Sequence, residues 1–147
     1  MKPIKTFLAW LVAAVVLALS VAGCRSSGKI PLTESGLPEV TVQAGKAEEV
    51  KVIAREFFRD RGYIERDSRH GYEVVFDKPT KSRRSSRALR VRLRLYKQTG
   101  NTWRLVGTPM GVEAWRSDLE SEVAVPQGAS QIQAFLAEIK IRLESAR

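Results

Sequence analysis

The sequence "ALRVRLRLYK" (residues 88–97) alternates apolar and polar residues without a break. Successive side chains of a β-strand point to opposite faces, so this alternation predicts a strand with one apolar and one basic face. The apolar face would carry Leu89, Val91, Leu93 and Leu95, and the basic face Arg90, Arg92, Arg94 and Tyr96. A strand of this kind needs an apolar partner layer on one side only.

Two helical patterns supply that layer. In "KAEEVKVIAREFFRDRG" (residues 46–62) the apolar residues recur three and four positions apart, and Gly62 is a plausible stop. The same spacing appears in "SQIQAFLAEIKIRLES" (residues 130–145). Each helix is therefore predicted to bury one side and expose the other.

Further strands are predicted on both sides of residues 88–97. "EVTV" (residues 39–42) is a short β-branched run, and "YIERD" and "YEVVFD" flank the turn "SRHG" as a hairpin. "TWRLVG" and "GVEAWR" are either one strand interrupted near Pro109 or two strands. The order strand, helix, three or four strands, helix predicts an α+β domain. We expect a single antiparallel sheet of about four to five strands, with two helices on one face.

The N-terminus differs from the rest of the chain. Lys2 and Lys5 are followed by 17 uncharged residues, Phe7–Gly23, that are mostly Leu, Val and Ala. A basic start, an apolar core and small residues at its end predict a secretory signal peptide. An uncleaved membrane anchor is the alternative, since 17 residues is the lower limit for spanning a bilayer. A buried core helix is a third interpretation, but a terminal helix that is apolar on every side has no face for solvent.

The only cysteine follows this apolar run, in the order Val21-Ala22-Gly23-Cys24. These four residues resemble the lipobox of bacterial lipoproteins. The resemblance implies that Val21, Ala22 and Gly23 are recognised by signal peptidase II, that residues 1–23 are removed, and that Cys24 carries the lipid. Because Arg25 is not Asp, it also implies an outer-membrane location facing the periplasm. The family of the remaining domain is not recognised from the sequence.

After Cys24 the chain divides into two parts. Residues 24–38 contain "RSSGKIPLTESGLP", which is rich in Ser, Gly and Pro and predicts a flexible linker after the lipidated N-terminus. Residues 39–147 form the single predicted α+β domain, since 147 residues suffice for one domain of modest size.

Residues that commonly carry chemistry are sparse. A single cysteine excludes an intramolecular disulfide and a thiolate metal cluster, and His70, the only histidine, lies in a predicted turn. We find no nucleophile motif, carboxylate pair or cofactor fingerprint. The sequence therefore predicts no catalytic residues, no metal site, no cofactor and no enzymatic activity.

Basic residues form the clearest local signal. Between Lys81 and Arg94 there are seven of them and no acidic residue. The candidate binding residues for an anionic ligand or partner are Arg83, Arg84, Arg87, Arg90, Arg92 and Arg94. The alternative is an ordinary solvated sheet face, in which carboxylates on neighbouring strands pair with the arginines. The candidate carboxylates are Glu65, Glu73, Asp77 and Glu113.

These observations favour a lipid-anchored envelope protein that serves as a structural or accessory interaction module in a membrane-associated assembly. The alternative is a binding module for an anionic envelope component, through the basic loop and sheet face. The partners expected are the membrane, through the lipid on Cys24, and an envelope protein. Nucleic acid is not expected, because an exported lipoprotein rarely meets it.

Overall fold

The computed structural model describes Thr33, residues 35–80 and residues 86–146. The predicted signal peptide, the lipobox with Cys24 and most of the linker lie outside these residues, as do Arg83 and Arg84. The elements are β1 (Glu39–Gln43), α1 (Ala47–Asp60), β2 (Ile64–Arg66), β3 (Glu73–Pro79), β4 (Ala88–Lys97), β5 (Thr102–Glu113), β6 (Ser121–Ala124), a 3-10 turn (Pro126–Gly128) and α2 (Ala129–Ser145).

The strands form one antiparallel sheet in the order β1-β5-β4-β3-β2, with β6 also paired to β5. The α+β class and the antiparallel sheet are confirmed. The predicted count of four to five strands is wrong, because the described residues form a sheet of six. The missed strand is β6, whose four residues are too short to show a periodic pattern.

Strand β5 is continuous through Pro109, which settles the choice between one strand and two. Residues 102–106 of β5 pair with β1 and residues 110–113 pair with β6. Pro109 lies in the gap between these two neighbours, so no strand on that edge requires an N–H from it. The strand ends at Glu113, and the predicted extension over Ala114, Trp115 and Arg116 is wrong.

The alternation in β4 is confirmed on its apolar face. Val91, Leu93 and Leu95 are buried, whereas Leu89, nearest the start of the strand, is 42% exposed. Register places Leu93 beside Val74 of β3, and Leu95 beside Leu105 of β5. These residues join one apolar cluster with the buried side chains of both helices. The helical members are Ala47, Val50, Ala54, Phe57 and Phe58 of α1 and Ile132, Leu136, Ile139 and Leu143 of α2.

Helix α1 ends as the sequence predicts. Gly62 has a φ of 77°, and its N–H donates to the Arg59 carbonyl. The Tyr63 N–H donates to the Phe58 carbonyl, and the rings of Tyr63 and Phe58 meet edge to face. This pair of hydrogen bonds is the Schellman motif, which favours glycine at the left-handed position. Within the described residues, no helix combines the length and apolar character needed to cross a membrane.

Gly107 sets how closely α2 approaches the sheet. A β-carbon at this position would lie 2.5 Å from Cγ2 of Ile132 and 3.5 Å from Cδ1 of Leu136. A separation of 2.5 Å is a steric overlap, so only glycine lets the helix lie this close to β5. Trp103, four residues before Gly107 in β5, is also buried in the core, and its indole Nε1 donates to the Ala44 carbonyl at 3.1 Å.

Candidate functional site: an ion-paired sheet face

Arg90 is the first of the three arginines on the basic face of β4, and its side chain is almost completely buried. Its Nε donates to Asp77 Oδ1 at 2.7 Å, and its Nη2 donates to Asp77 Oδ2 at 2.8 Å. Register places the two residues opposite each other on β4 and β3. Asp77 is 0% and Arg90 6% exposed. A bidentate pair of this kind fixes the orientation of both groups as well as compensating their charges.

Two further carboxylates reach Arg90 from the segment that follows β5. Glu120 accepts from Nη2 at 2.8 Å, and Glu122 accepts from Nη1 at 2.5 Å. Glu122 lies on β6, where it is paired with Val112 of β5. Strand β6 therefore does more than widen the sheet, because it brings an acidic side chain over the basic row.

The loop between β5 and β6 holds Trp115 against the same pair. Its indole Nε1 donates to Asp77 Oδ2 at 2.8 Å, and its backbone N–H donates to the Ser86 carbonyl at 2.7 Å. Ala114 and Arg116 on either side have φ angles of 50° and 61°. A left-handed conformation costs free energy in residues other than glycine, so surrounding contacts have to hold it. One such contact is the Arg116 N–H donating to Glu120 Oε2 at 2.9 Å.

The other two arginines of the row are also ion-paired. Arg94 Nε donates to Glu73 Oε2 at 2.7 Å, and Arg92 Nη2 donates to Glu122 Oε1 at 3.0 Å. Arg66 of β2 lies 3.8 Å from Asp77 and 3.7 Å from Glu120. We call this set the sheet-face network. It consists of four arginines and four carboxylates: Arg66, Arg90, Arg92, Arg94, Glu73, Asp77, Glu120 and Glu122.

The network shifts the ionisation of its members. Burial alone would raise the pKa of Asp77, but hydrogen bonds from Arg90 and Trp115 outweigh it and lower that pKa. The hydrogen-bonded carboxylate of Asp77 raises the pKa of Arg90, and hydrogen bonds to Glu122 and Glu120 add to the rise, whereas burial opposes it. Burial alone would raise the pKa of Glu120, but hydrogen bonds from the Arg116 N–H and from Arg90 lower it. All three groups are therefore held in their charged forms.

The structure places the predicted binding residues in three different settings. Arg90, Arg92 and Arg94 share one sheet face, as predicted, and each is paired with carboxylates. Arg87 is exposed at the start of β4, and its Nη2 lies 3.3 Å from Glu113. The remaining predicted site residues, Arg83, Arg84, Cys24, Val21, Ala22 and Gly23, lie outside the described residues. Anion binding by the arginines stays a prediction.

The predicted carboxylate partners are partly correct. Glu73 and Asp77 pair with the row, whereas Glu65 faces α1 and pairs with Arg55 at 3.0 Å. Sequence reasoning missed Glu120 and Glu122. Glu120 and Glu122 are two positions apart, as Arg90 and Arg92 are, but the segment is too short for this spacing to predict a strand. Their pairing with the row could be recognised only once the two segments were known to share a face.

A polar cleft of about 230 Å³ lies beside the network. The β2–β3 turn forms one wall, with Arg66, Asp67, Ser68, Arg69 and His70. The opposite wall is formed by Glu73, Val75, Arg90, Arg92 and Arg94. Among the described residues, no three His, Cys, Asp or Glu side chains are grouped to hold a metal ion. The cleft therefore offers guanidinium donors and two carboxylates, of which Glu73 is already paired with Arg92 and Arg94.

Comparison with known proteins adds no relative: a scan against models of protein families and a search of curated proteins both returned no match.

Proposed function

We propose that this chain is a non-enzymatic, lipid-anchored protein of the bacterial envelope, whose α+β domain contacts a protein partner in a membrane-associated assembly. The observation that carries the proposal is the lipobox-like Val21-Ala22-Gly23-Cys24 at the end of an apolar, uncharged run. The Ser-, Gly- and Pro-rich linker that follows suits a domain held near a bilayer. Arg25 favours the outer membrane, on its periplasmic side.

The proposal of a non-enzymatic role is supported by how the buried polar groups are used. Asp77, the most buried carboxylate of the residues that the structure describes, accepts hydrogen bonds from Arg90 and Trp115, so it is committed to structure. A general base needs a carboxylate or imidazole near neutral pKa with room for a substrate. The pKa of Asp77 is lowered instead, which makes it a weaker base.

The proposal includes one finer feature of the fold, that both helices cover the same face of the sheet. It is supported by the single apolar cluster that joins α1 and α2 to strands β1, β3, β4 and β5. The rings of Phe57 in α1 and Phe135 in α2 also meet edge to face, 5.4 Å apart. The Arg-bearing face, the strand edges and the ends of the sheet then remain for contacts with partners.

The anchor is tested by replacing Cys24. We expect Cys24→Ala to lose the acyl mass of the mature protein and to accumulate either as precursor or away from the membrane. About 0.8 kcal/mol per buried acyl CH₂ is then lost from membrane binding. Mass spectrometry and membrane fractionation give the readout, with Ser26→Ala as the matched control. Normal acylation and processing of the Cys24→Ala chain would rule the proposal out.

A second candidate function is the binding of an anionic envelope component, and the distribution of charge favours one location for it. The described residues contain 17 Lys and Arg against 15 Asp and Glu, a net charge of +2. The five residues between Thr80 and Ser86 add Lys81, Arg83 and Arg84 with no acidic residue. Because the sheet-face network compensates its own charge, Arg83, Arg84 and exposed Arg87 are better candidates than Arg90.

This candidate is tested by salt-dependent binding to lipopolysaccharide and to isolated peptidoglycan. We expect the triple change Arg83→Gln, Arg84→Gln, Arg87→Gln to weaken binding and to reduce its dependence on salt. The matched control removes three cations at or on the two helices, through Lys46→Gln, Arg59→Gln and Lys140→Gln. Equal loss from both triple variants would indicate nonspecific attraction and contradict a defined site.

A further inference from the structure

Three of the exposed aliphatic side chains among the described residues lie on or beside β4 and β6 at one end of the sheet. Leu119 is 83% exposed in the β5–β6 loop, Val123 on β6 is 55% exposed, and Leu89 on β4 is 42% exposed. Register aligns Leu89, Gly111 and Val123 across three neighbouring strands, so the two side chains lie about 10 Å apart. Leu119 is four residues before Val123. We call these three residues the terminal patch.

The loop that carries Leu119 is held in place by its own hydrogen bonds. The Leu119 N–H donates to Ser117 Oγ at 3.2 Å, and Ser117 Oγ donates to the Ala114 carbonyl at 2.6 Å. Trp115 ties the loop to Ser86 and Asp77. The leucine is therefore exposed by a strained but well-connected loop, rather than by a free chain end. A large apolar side chain held in water in this way indicates a contact surface.

The linker reaches the domain from the same end of the sheet. Glu39 pairs with Val106, and the Pro38 carbonyl accepts from the Gly107 N–H at 2.8 Å. Because β1 is antiparallel to β5, the residues before Pro38 approach from the side of β5 that leads to Glu113 and the loop. Fourteen residues separate Cys24 from Glu39, which allows a reach of roughly 50 Å at most. The surface that holds the anchor is thus the nearest large apolar phase to the patch.

Charged residues of both signs surround the patch. Lys78, Arg87 and Arg116 are exposed at this end with Glu113 and Asp118, and Arg87 is paired with Glu113 at 3.3 Å. Glu120 and Glu122, next to Leu119 and Val123 in the sequence, are turned to Arg90. The Arg116 guanidinium lies 4.5 Å from the centre of the Trp115 ring. Leu119 and Arg116 are both exposed in this loop, and an apolar side chain near a cation suits the boundary between lipid headgroups and acyl chains.

We infer that the terminal patch docks the anchored domain onto the phospholipid surface that carries its lipid, with Leu119 entering the interface and Arg87 and Arg116 contacting lipid phosphates. The inference rests on the proposed lipid anchor. It adds an orientation to that anchor, because the β5–β6 end of the sheet faces the membrane. The β2–β3 turn, at the opposite end of β3, then faces away and remains accessible to a protein partner.

The test uses the full acylated chain in vesicles of phosphatidylcholine with about one quarter phosphatidylglycerol, an anionic lipid. The single cysteine is blocked by acylation, so Leu119→Cys provides one site for an environment-sensitive dye. Ile141→Cys is the matched control, because Ile141 is 61% exposed on α2. Brominated lipids should quench the dye at position 119 at least about twofold more than at 141, since interfacial side chains enter the headgroup boundary. Val123→Cys should follow position 119.

Flotation of the same vesicles separates the two hypotheses. A chain that does not float with lipid contradicts the anchor and, with it, the docking inference. A chain that floats, but whose labels at 119 and 141 are quenched equally, overturns the docking inference and leaves the anchor standing. Shielding of position 119 in a lipid-free dimer would assign the patch to a second copy of the chain and would also overturn it.

Discussion

The two faces of β4 are built from the same strand and held by different interactions. On one face Val91, Leu93 and Leu95 pack into the apolar cluster. On the other, Arg90 is equally buried but is surrounded by carboxylates. An apolar face tolerates changes of partner as long as volume is conserved, whereas a buried ionic face depends on each individual partner. The two faces should therefore respond differently to substitution and to pH.

The largest effect is expected from Arg90→Met. It removes the arginine but leaves Asp77 buried, so stability should fall by about 3–5 kcal/mol, the usual result of breaking a buried ion pair on one side. Urea unfolding followed by circular dichroism gives the free energy of unfolding. The matched control is Arg94→Met, because Arg94 is 48% exposed and pairs with Glu73. That change should cost no more than about 1 kcal/mol.

Similar losses from both arginine variants would contradict the distinction between a buried and an exposed pair. The double variant Asp77→Leu, Arg90→Met sharpens the test further. Replacing both members of a buried pair with apolar groups is often close to neutral, so this variant should recover much of the lost stability. If stability is not recovered, the contact of Trp115 with Asp77 and that of Glu120 with Arg90 each contribute to stability on their own.

The apolar face is tested by Leu93→Ala, with an expected loss of about 3 kcal/mol from lost burial and the resulting cavity. Leu89→Ala is an unusually close control, because it makes the same change on the same face of the same strand. Leu93 is 0% exposed and Leu89 is 42% exposed. Leu89→Ala should change the free energy of unfolding by well under about 1 kcal/mol. Equal effects would mean that the end of the sheet is more enclosed than the structure indicates.

The two faces also differ in how far the sequence predicts them. The apolar face and both helices follow from periodicity, because burial repeats every two residues in a strand and every three to four in a helix. The alternation in β4 predicts that the arginine row lies on one face of the sheet, but it does not reveal two of the carboxylates that pair with the row. Glu120 lies in an irregular loop and Glu122 on a four-residue strand, and neither segment has a period that reveals its neighbours. Pairing across irregular segments is a property of the tertiary fold.

A smaller effect is expected where α2 meets β5. Gly107→Ala should push Ile132 away from the sheet, and overpacking of this kind costs about 1–3 kcal/mol. Gly71→Ala serves as the control, because a β-carbon at Gly71 meets no atom within 4 Å. The midpoint of urea unfolding for both variants gives the comparison. A neutral Gly107→Ala would show that α2 can shift without loss, and the close approach would then have no energetic role.

The smallest effect is expected from a change of pH. Acid should change the stability difference between wild type and a variant of the ionic face, but not the difference between wild type and a variant of the apolar face. In the wild-type chain the pKa of Asp77 is lowered, so its stabilising contribution is complete above the unfolded-chain pKa of about 3.9. That contribution is lost as pH falls through the lower folded-state pKa. In Arg90→Met the main cause of the lowering is gone, and burial then favours the protonated carboxyl. Acid should therefore narrow the stability gap between wild type and Arg90→Met.

The gap between wild type and Leu93→Ala should stay constant from pH 7 to about pH 3, because that substitution removes no charge partner. Urea midpoints measured across this range test both statements. A gap for Arg90→Met that did not narrow in acid would mean that Asp77 remains ionised without its arginine, held by Trp115 and Arg66 alone.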